Sequence, residues 1–386
     1  MSRIAAVAAV LPEHSYAQSE ITEMIAPMIT SDGSKQAVLR RMHAGSRVDR
    51  RHLVMPLDEY RAGLSFTESN DRFIGAATDL AEVAVRDALE RSGLQASDVD
   101  MIMFTSVTGI SAPSIDALLV PRIGLRSDIK RVPMFGLGCV GGAAGIARLH
   151  DYLLGHPDDV AVLLSIELCS LTVQRDDDSM ANLVASGLFG DGGAAVVMVG
   201  ARRAEQLGLT GPDVVDVRSR LYPDSGHILG FNPGSTGFRI VLTGGIADVV
   251  DEHFGADVDG FLSDNGLSIP DIDRWIAHPG GPRVLEAFSH SLGLADDALA
   301  LSWRSMAAVG NLSSSSVLHV LADALAIDGP DGKAPGAGTA MLFALGPGLS
   351  AEMVLLRWPS EDRGIDSGVD SGVGDVVDGG RKAVAA

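Results

Sequence analysis

GLQASDVDMIM, starting at Gly93, and GLSIPDIDRWI, starting at Gly266, share Gly-Leu followed by Asp, an aliphatic residue and Asp at one spacing, 173 residues apart. Gly138-Cys139 stands before the helical run IARLHDYLL; Gly310-Asn311, 172 residues later, stands before VLHVLADAL. In both halves an apolar run follows that helix, VAVLLSIE and then TAMLFALG. Order, offset and element type repeat together, so the chain reads as one α/β unit written twice. Two such units packed about a pseudo-twofold axis would bring their equivalent helix starts together, and with them Cys139 and Asn311. The turn-rich LGLTGPDVVD marks the join, giving an N-terminal half over residues 1–215 and a C-terminal half over 216–358. Residues 359–386 are acidic, rich in Gly and Ser, and read as a disordered tail with no apolar face to bury.

The strands of each unit appear as short apolar runs, among them DMIMFTSV (100–107), DVAVLLSIEL (159–168), GAAVVMVG (193–200), RWIAH (274–278), GTAMLFAL (338–345) and AEMVLLRW (351–358). Few of them alternate polar with apolar, as expected of strands covered on both faces. A long helix is expected over residues 70–93, where Phe73, Ala77, Leu80 and Ala84 share one face.

Composition narrows the functional classes. Of 386 residues, 46% are hydrophobic, and 50 acidic against 30 basic side chains leave a formal charge of −20. That charge argues against binding nucleic acid or anionic membrane surfaces. The N-terminal SRIAAVAAV is too short for a membrane span and reads as a first strand rather than a signal peptide. Two cysteines are too few for a disulfide scaffold or a cysteine zinc site and suit the cytoplasm.

The stretch FGLGCVGGAAG (135–145) contains Gly136, Gly138 and Gly141 at the spacing of a dinucleotide-binding loop. That reading also needs a proper preceding strand and an acidic residue about 20 positions on. RVPMF is short and carries Pro133, and Glu167 is too distant. The alternative is a nucleophile: at a helix start, backbone N–H groups and the helix dipole favour the Cys139 thiolate, and the glycines let a substrate approach the backbone. His278, in WIAHPGGP, is held extended by Pro279 at the end of a strand. Asn311 is by default a helix N-cap, yet it occupies the position of Cys139 in the second unit. Thiol, imidazole and carboxamide together could form an acyl thioester and stabilise an oxyanion or enolate.

GLGCVGGAAG, LFGDGGAAVV (188–197), WIAHPGGPRVLEAF (275–288), GNLSSSSVLHVL (310–321) and LGPGLSAE (345–352) together resemble the type III polyketide synthases, the chalcone synthase superfamily, from about residue 1 to 358. Within it, the chain looks most similar to bacterial long-chain alkylpyrone and alkylresorcinol synthases. The resemblance implies a thiolase fold with duplicated halves in five α-β-α-β-α layers, and a homodimer. It implies Cys139 as the nucleophile holding the acyl chain, with His278 and Asn311 binding the thioester carbonyl and aiding decarboxylation of malonyl-CoA. His278 as imidazolium would then pair with the Cys139 thiolate. CoA thioesters are the implied substrates, with no metal or redox cofactor.

The same resemblance marks Phe189 as a gatekeeper between CoA tunnel and reaction chamber, Gly346, Pro347 and Gly348 as a loop shaping the chamber wall, and Ser313 as a serine near the nucleophile. Cys169 and Ala185 fall where starter size is set. Ala112 lies on a loop reaching toward the partner's cavity, and Arg41, in RRMHAGSRVDRR, stands where a CoA-binding arginine is usual. Val38 and Gly45 replace lysines of the plant-type pattern. Two other readings fit the Cys-His-Asn set: a ketoacyl-ACP synthase III-like enzyme, against which PGGP after His278 and the LGPG ending argue, and a non-catalytic acyl-CoA-binding protein, against which the presence of all three side chains argues.

Overall fold

The computed structural model describes residues 1–358 apart from Asp176 and residues 327–336. The acidic segment 359–386 therefore lies outside the described residues. Nine strands carry the architecture: β1 (Ser2–Val10), β2 (Met101–Thr105), β3 (Lys130–Met134), β4 (Val160–Leu168), β5 (Asp191–Gly200), β6 (Asp213–Leu221), β7 (Arg274–Ala277), β8 (Gly338–Gly346) and β9 (Ser350–Trp358). They form one hydrogen-bonded sheet in the order β7-β8-β9-β6-β1-β5-β4-β2-β3.

The duplication is visible in the pairing. In the first unit β2 runs parallel to β4, β4 antiparallel to β5, and β5 antiparallel to β1. In the second, β7 runs parallel to β8, β8 antiparallel to β9, and β9 antiparallel to β6. The units meet where β1 and β6 pair through Ser2 with Val214 and Arg3 with Asp213. An Arg3–Asp213 ion pair at 2.8 Å closes that seam. A division at 215/216 would cut β6, which does in the second unit what β1 does in the first, so that unit begins by Asp213.

Side-chain alternation builds the layers. Along β4, Val160, Val162, Leu164 and Ile166 enter one core with the long helix Phe66–Ser92, while Ala161 and Leu163 enter another with the helix Gly141–Gly155. Along β8, Ala340, Leu342 and Ala344 enter that same central core, whereas Met341, Phe343 and Leu345 face a third core with helices Gly255–Asp264 and Pro282–Ser291. Each sheet half is thus covered on both faces, and the central layer holds the two equivalent helices, Gly141–Gly155 and Ser316–Ala326. Two-sided burial is why these strands read as continuous apolar runs.

Two local outcomes differ from the sequence expectation. The long helix begins at Phe66 rather than residue 70, because the Ser65 hydroxyl accepts the Glu68 N–H while the Glu68 carboxylate accepts the Ser65 N–H, a reciprocal cap. RVPMF is a genuine strand despite Pro133: β3 ends the sheet order, and an edge strand tolerates a residue with no N–H to donate. No described helix is long and apolar enough to cross a membrane.

Candidate active site

Cys139 lies in a single 3-10 turn, Gly138–Val140, that leads directly into the helix Gly141–Gly155. Gly138 adopts φ +53°, and a Cβ there would lie 2.6 Å from the Pro347 ring, so only glycine lets the loop turn beneath the 346–348 segment. At Gly142 a Cβ would come within 2.2 Å of the Ser314 carbonyl oxygen, which shows how closely the two central helix starts approach. The glycines of FGLGCVGGAAG therefore let the Cys139 loop pack against its counterpart from the other unit.

That counterpart carries Asn311. It is not the N-cap of Ser316–Ala326, because the 3-10 turn Ser313–Ser315 intervenes. Instead its Oδ1 accepts the Ser313 N–H at 2.8 Å, and its Nδ2 donates to the Gly280 carbonyl at 3.2 Å. These bonds fix the plane of the carboxamide and use one of its two N–H donors, leaving the second for a ligand. Ser313 has φ +51°, a costly backbone for a non-glycine residue, and its hydroxyl lies 3.8 Å from Cys139 Sγ.

His278 follows β7 at the strand's carboxyl end, with its backbone N–H donating to Phe343 O at 2.9 Å. A Cβ on Gly280 would be 3.4 Å from the imidazole, so His278 packs against the turn whose Gly280 carbonyl Asn311 holds. Neither His278 nor Asn311 is among the residues that line the cavity beside Cys139. The side chain is buried, and neither ring nitrogen has a hydrogen-bond partner. An orphaned imidazole of this kind is costly unless a ligand completes it.

Burial works against the expected ion pair. It pushes the Cys139 thiol up to about 12, against smaller opposing effects from the Ser313 and Asn311 side chains, and pushes the His278 imidazole down to about 3. Both shifts favour the uncharged forms of thiol and imidazole.

An interior cavity is lined by Cys139, Cys169, Ala185, Phe189, Ser313 and Pro347, all singled out in the sequence. Gly346 lies behind this wall, where a Cβ would meet the Leu137 carbonyl oxygen at 2.6 Å, and Gly348 takes φ +72° in the same turn. A separate surface cleft is lined by Ser46, Leu188, Thr243, Gly280, Gly281 and Arg283. Leu188 faces the cleft and its neighbour Phe189 faces the cavity, so this short segment lies between them. It is pinned to the site: the Asn311 N–H donates to Leu188 O at 2.8 Å and the Gly190 N–H to Asn311 O at 2.9 Å. Ala112 and Arg41 are exposed and line neither space; Arg283 is the arginine on the cleft.

Sequence reasoning missed two buried charged groups. Glu167, at the end of β4, accepts from Val107 N at 3.1 Å, Thr108 Oγ1 at 3.0 Å, Ser106 Oγ and Ser314 Oγ, with burial raising its pKa. The signal was a carboxylate inside the otherwise apolar VAVLLSIEL. Arg51 belongs to the basic cluster RRMHAGSRVDRR, in which the sequence singled out only Arg41, yet it is 2% exposed and lines the cavity.

The family model for chalcone and stilbene synthases, N-terminal domain, matches residues 1–202, and that for the C-terminal domain matches residues 220–359. The chain belongs to the chalcone and stilbene synthase family. It is a type III polyketide synthase, an acyl-transferring condensing enzyme, and its architecture is the thiolase fold. The 1,3,6,8-tetrahydroxynaphthalene synthase of Streptomyces peucetius is 53% identical to this polyketide synthase over 355 residues, covering 92% of this chain and 93% of the relative. The alpha-pyrone synthesis polyketide synthase-like Pks18 of Mycobacterium tuberculosis is 30% identical, covering 89% and 88%. Among solved structures, the bacterial 1,3,6,8-tetrahydroxynaphthalene synthase of Streptomyces coelicolor superposes with a TM-score of 0.85 at 28% identity, covering 93% of this chain and 99% of that one.

Proposed function

We propose that this polyketide synthase loads malonyl-CoA on Cys139 as starter, extends it with further malonyl-CoA, and closes the chain to 1,3,6,8-tetrahydroxynaphthalene. In each loading step Cys139 Sγ attacks the thioester carbonyl, its proton passes to the His278 imidazole, and departing CoA takes that proton away as its thiol. For extension, malonyl-CoA loses carbon dioxide and the electron pair of the broken C–C bond becomes an enolate. Its oxygen is held by the free N–H of Asn311 Nδ2 and by the imidazole, and its carbon attacks the acyl-Cys139 thioester. The C–S bond breaks, the Cys139 thiolate leaves and takes up a proton from solvent, and the extended chain, now a CoA thioester, is loaded on Cys139 again. No electron leaves or enters overall, so the sequence of steps requires no redox cofactor, and the enolate's donors in this reading are side chains.

The product is one that the Streptomyces peucetius relative is named for. Five malonyl groups that each lose carbon dioxide, the starter's carboxylate last, leave ten carbons with oxygen on alternate positions. Closing the two rings expels the thioester's thiol and one water, so that four hydroxyls remain. The observation that carries the reading is the 53% identity to that relative over 92% of this chain. On the cavity wall Tyr60, Thr108, Ser170, Gln174 and Asn182 bond to other protein groups, whereas Arg51 keeps a donor without a partner. CoA itself would lie along the cleft beside Arg283, with Phe189 at the passage inward. We read the enzyme as cytoplasmic, in keeping with its two free thiols, and as a homodimer whose partner covers exposed Ile110, Ala112 and Phe135.

A second reading retains the fatty acyl starter and alkylpyrone or alkylresorcinol product suggested by the sequence. It draws on the apolar side of the same cavity, where Met24, Ile25, Met28 and Leu53 could sheathe an alkyl chain. Mass analysis of products made from malonyl-CoA alone separates the two. The expected result is the ten-carbon tetrol. No product from malonyl-CoA alone, with alkylpyrones appearing once a fatty acyl-CoA is added, would establish the second reading instead.

A further inference from the structure

Arg51 is the one arginine of the cavity wall, and its burial is only partly explained by structure. Its Nε donates to Gln18 Oε1 at 2.9 Å and its Nη1 to the Phe189 carbonyl at 2.8 Å. Its Nη2 is buried and has no hydrogen-bond partner. Among the described residues no carboxylate lies within ion-pairing distance of it. The neighbouring buried carboxylate, Asp191, is occupied elsewhere, accepting from Ser170 N at 2.8 Å, Ser170 Oγ at 2.5 Å and Val54 N at 2.8 Å. The stem is held in place: a Cβ on Gly310 would lie 3.2 Å from Arg51 Cγ, and one on Gly190 would lie 3.6 Å from Arg51 Cβ. A guanidinium kept rigid, desolvated and short of one acceptor is a poor structural strut, because the unpaired nitrogen costs stability. It is a good preorganised donor to an anion that arrives with the substrate.

We propose that Arg51 Nη2 binds the distal carboxylate of a malonyl-type starter, so that Arg51 selects a carboxylate-ended acyl group over an apolar one of equal size. This rests on the reading of malonyl-CoA as starter. A malonyl group joined to Cys139 through its thioester keeps a free carboxylate at its other end. That carboxylate is the anion the cavity has to accommodate, and Arg51 is the arginine on the wall of the cavity that Cys139 also lines. No bond forms or breaks at Arg51.

Two experiments test it. In the first, wild-type enzyme is offered succinyl-CoA or 4-methylpentanoyl-CoA, which carries an isopropyl group in place of the carboxylate, and acylation of Cys139 is followed by intact-protein mass. Succinyl transfer is expected to be at least about tenfold faster, the scale of one charge-assisted hydrogen bond in a buried site. Equal rates, or faster 4-methylpentanoyl transfer, would overturn the proposal. In the second, folded Arg51→Gln and Arg51→Lys variants receive malonyl-CoA with hexanoyl-CoA. The ratio of malonyl-primed to hexanoyl-primed products should fall at least about tenfold in Arg51→Gln, with partial recovery in Arg51→Lys. A purely structural arginine would lower both products together and leave the ratio where it was, which would also overturn the proposal. If wild-type enzyme makes no tetrahydroxynaphthalene yet still prefers succinyl-CoA, the product reading fails and Arg51 keeps its role. If it makes the tetrol without that preference, the reverse holds.

Discussion

Cys139→Ala is expected to abolish polyketide formation, lowering product by at least about 10⁴-fold, the scale on which enzymes lose rate when a covalent nucleophile is removed. The expectation follows from position. Cys139 is the thiol at the start of a 15-residue helix, beside Ser313 and the Asn311 loop, where the two repeated units meet. Cys169 lines the same cavity, but it follows β4 in a short 3-10 turn, and burial raises its thiol well above the ordinary range. Product formation by liquid chromatography checks the prediction, with circular dichroism confirming that the variant is folded. Product above a few per cent of wild type would mean that another group, with Cys169 the first suspect, can carry the acyl chain.

The second large effect is on stability in mild acid. Burial lowers His43 and His278 to about 3 and His319 to about 4, from 6.5 in an unfolded chain. A depressed folded-state pKa means that these histidines contribute stability in full above pH 6.5, and that this contribution is lost as pH falls toward the folded values. Each lowered histidine costs up to roughly 1.4 kcal/mol per pH unit in that window. Asp191 works in the opposite sense, because burial raises it to about 6, and so does Glu167, which is raised as well. His150 is lowered as well, while Glu352 and Asp323 are raised, so the carboxyl groups offset part of the histidines' loss between pH 6 and 5. Urea denaturation across that range should show the decline. In His278→Gln the slope should flatten by about one proton, or roughly 1.4 kcal/mol per unit. An unchanged slope would mean that His278 is not held neutral by its burial.

The duplication was legible because strand, helix and glycine positions are local properties, and two copies at one offset reinforce each other. Gly138 and Gly310 both take positive φ before the loops that carry Cys139 and Asn311, at φ +53° and +76°, so the sequence match corresponds to a real equivalence of backbone. What the sequence left hidden depends on contacts across the pseudo-twofold axis. Asn311 could be placed beside a helix start, but its bond to Gly280 and its bridge to Phe189 join segments far apart in the chain. The split of RRMHAGSRVDRR was hidden for the same reason. Arg41 points to the surface while Arg51 is enclosed by Gly190 and Gly310, and nothing in a run of charges distinguishes the two. The depth of burial was hidden too: the resemblance implies a thiolate–imidazolium pair, and burial shifts both groups toward their uncharged forms. The strand at Pro133 was masked by a local rule that holds inside sheets and relaxes at their edge.

Everything proposed for this synthase rests on Cys139 carrying the growing chain as a thioester. The most direct test is intact-protein mass spectrometry after brief exposure to a CoA thioester starter, followed by peptide mapping. The account predicts a single acyl adduct, located on the peptide containing Cys139, labile to neutral hydroxylamine and absent from Cys139→Ala. An adduct on Cys169, or product formation with no adduct on Cys139, would contradict it.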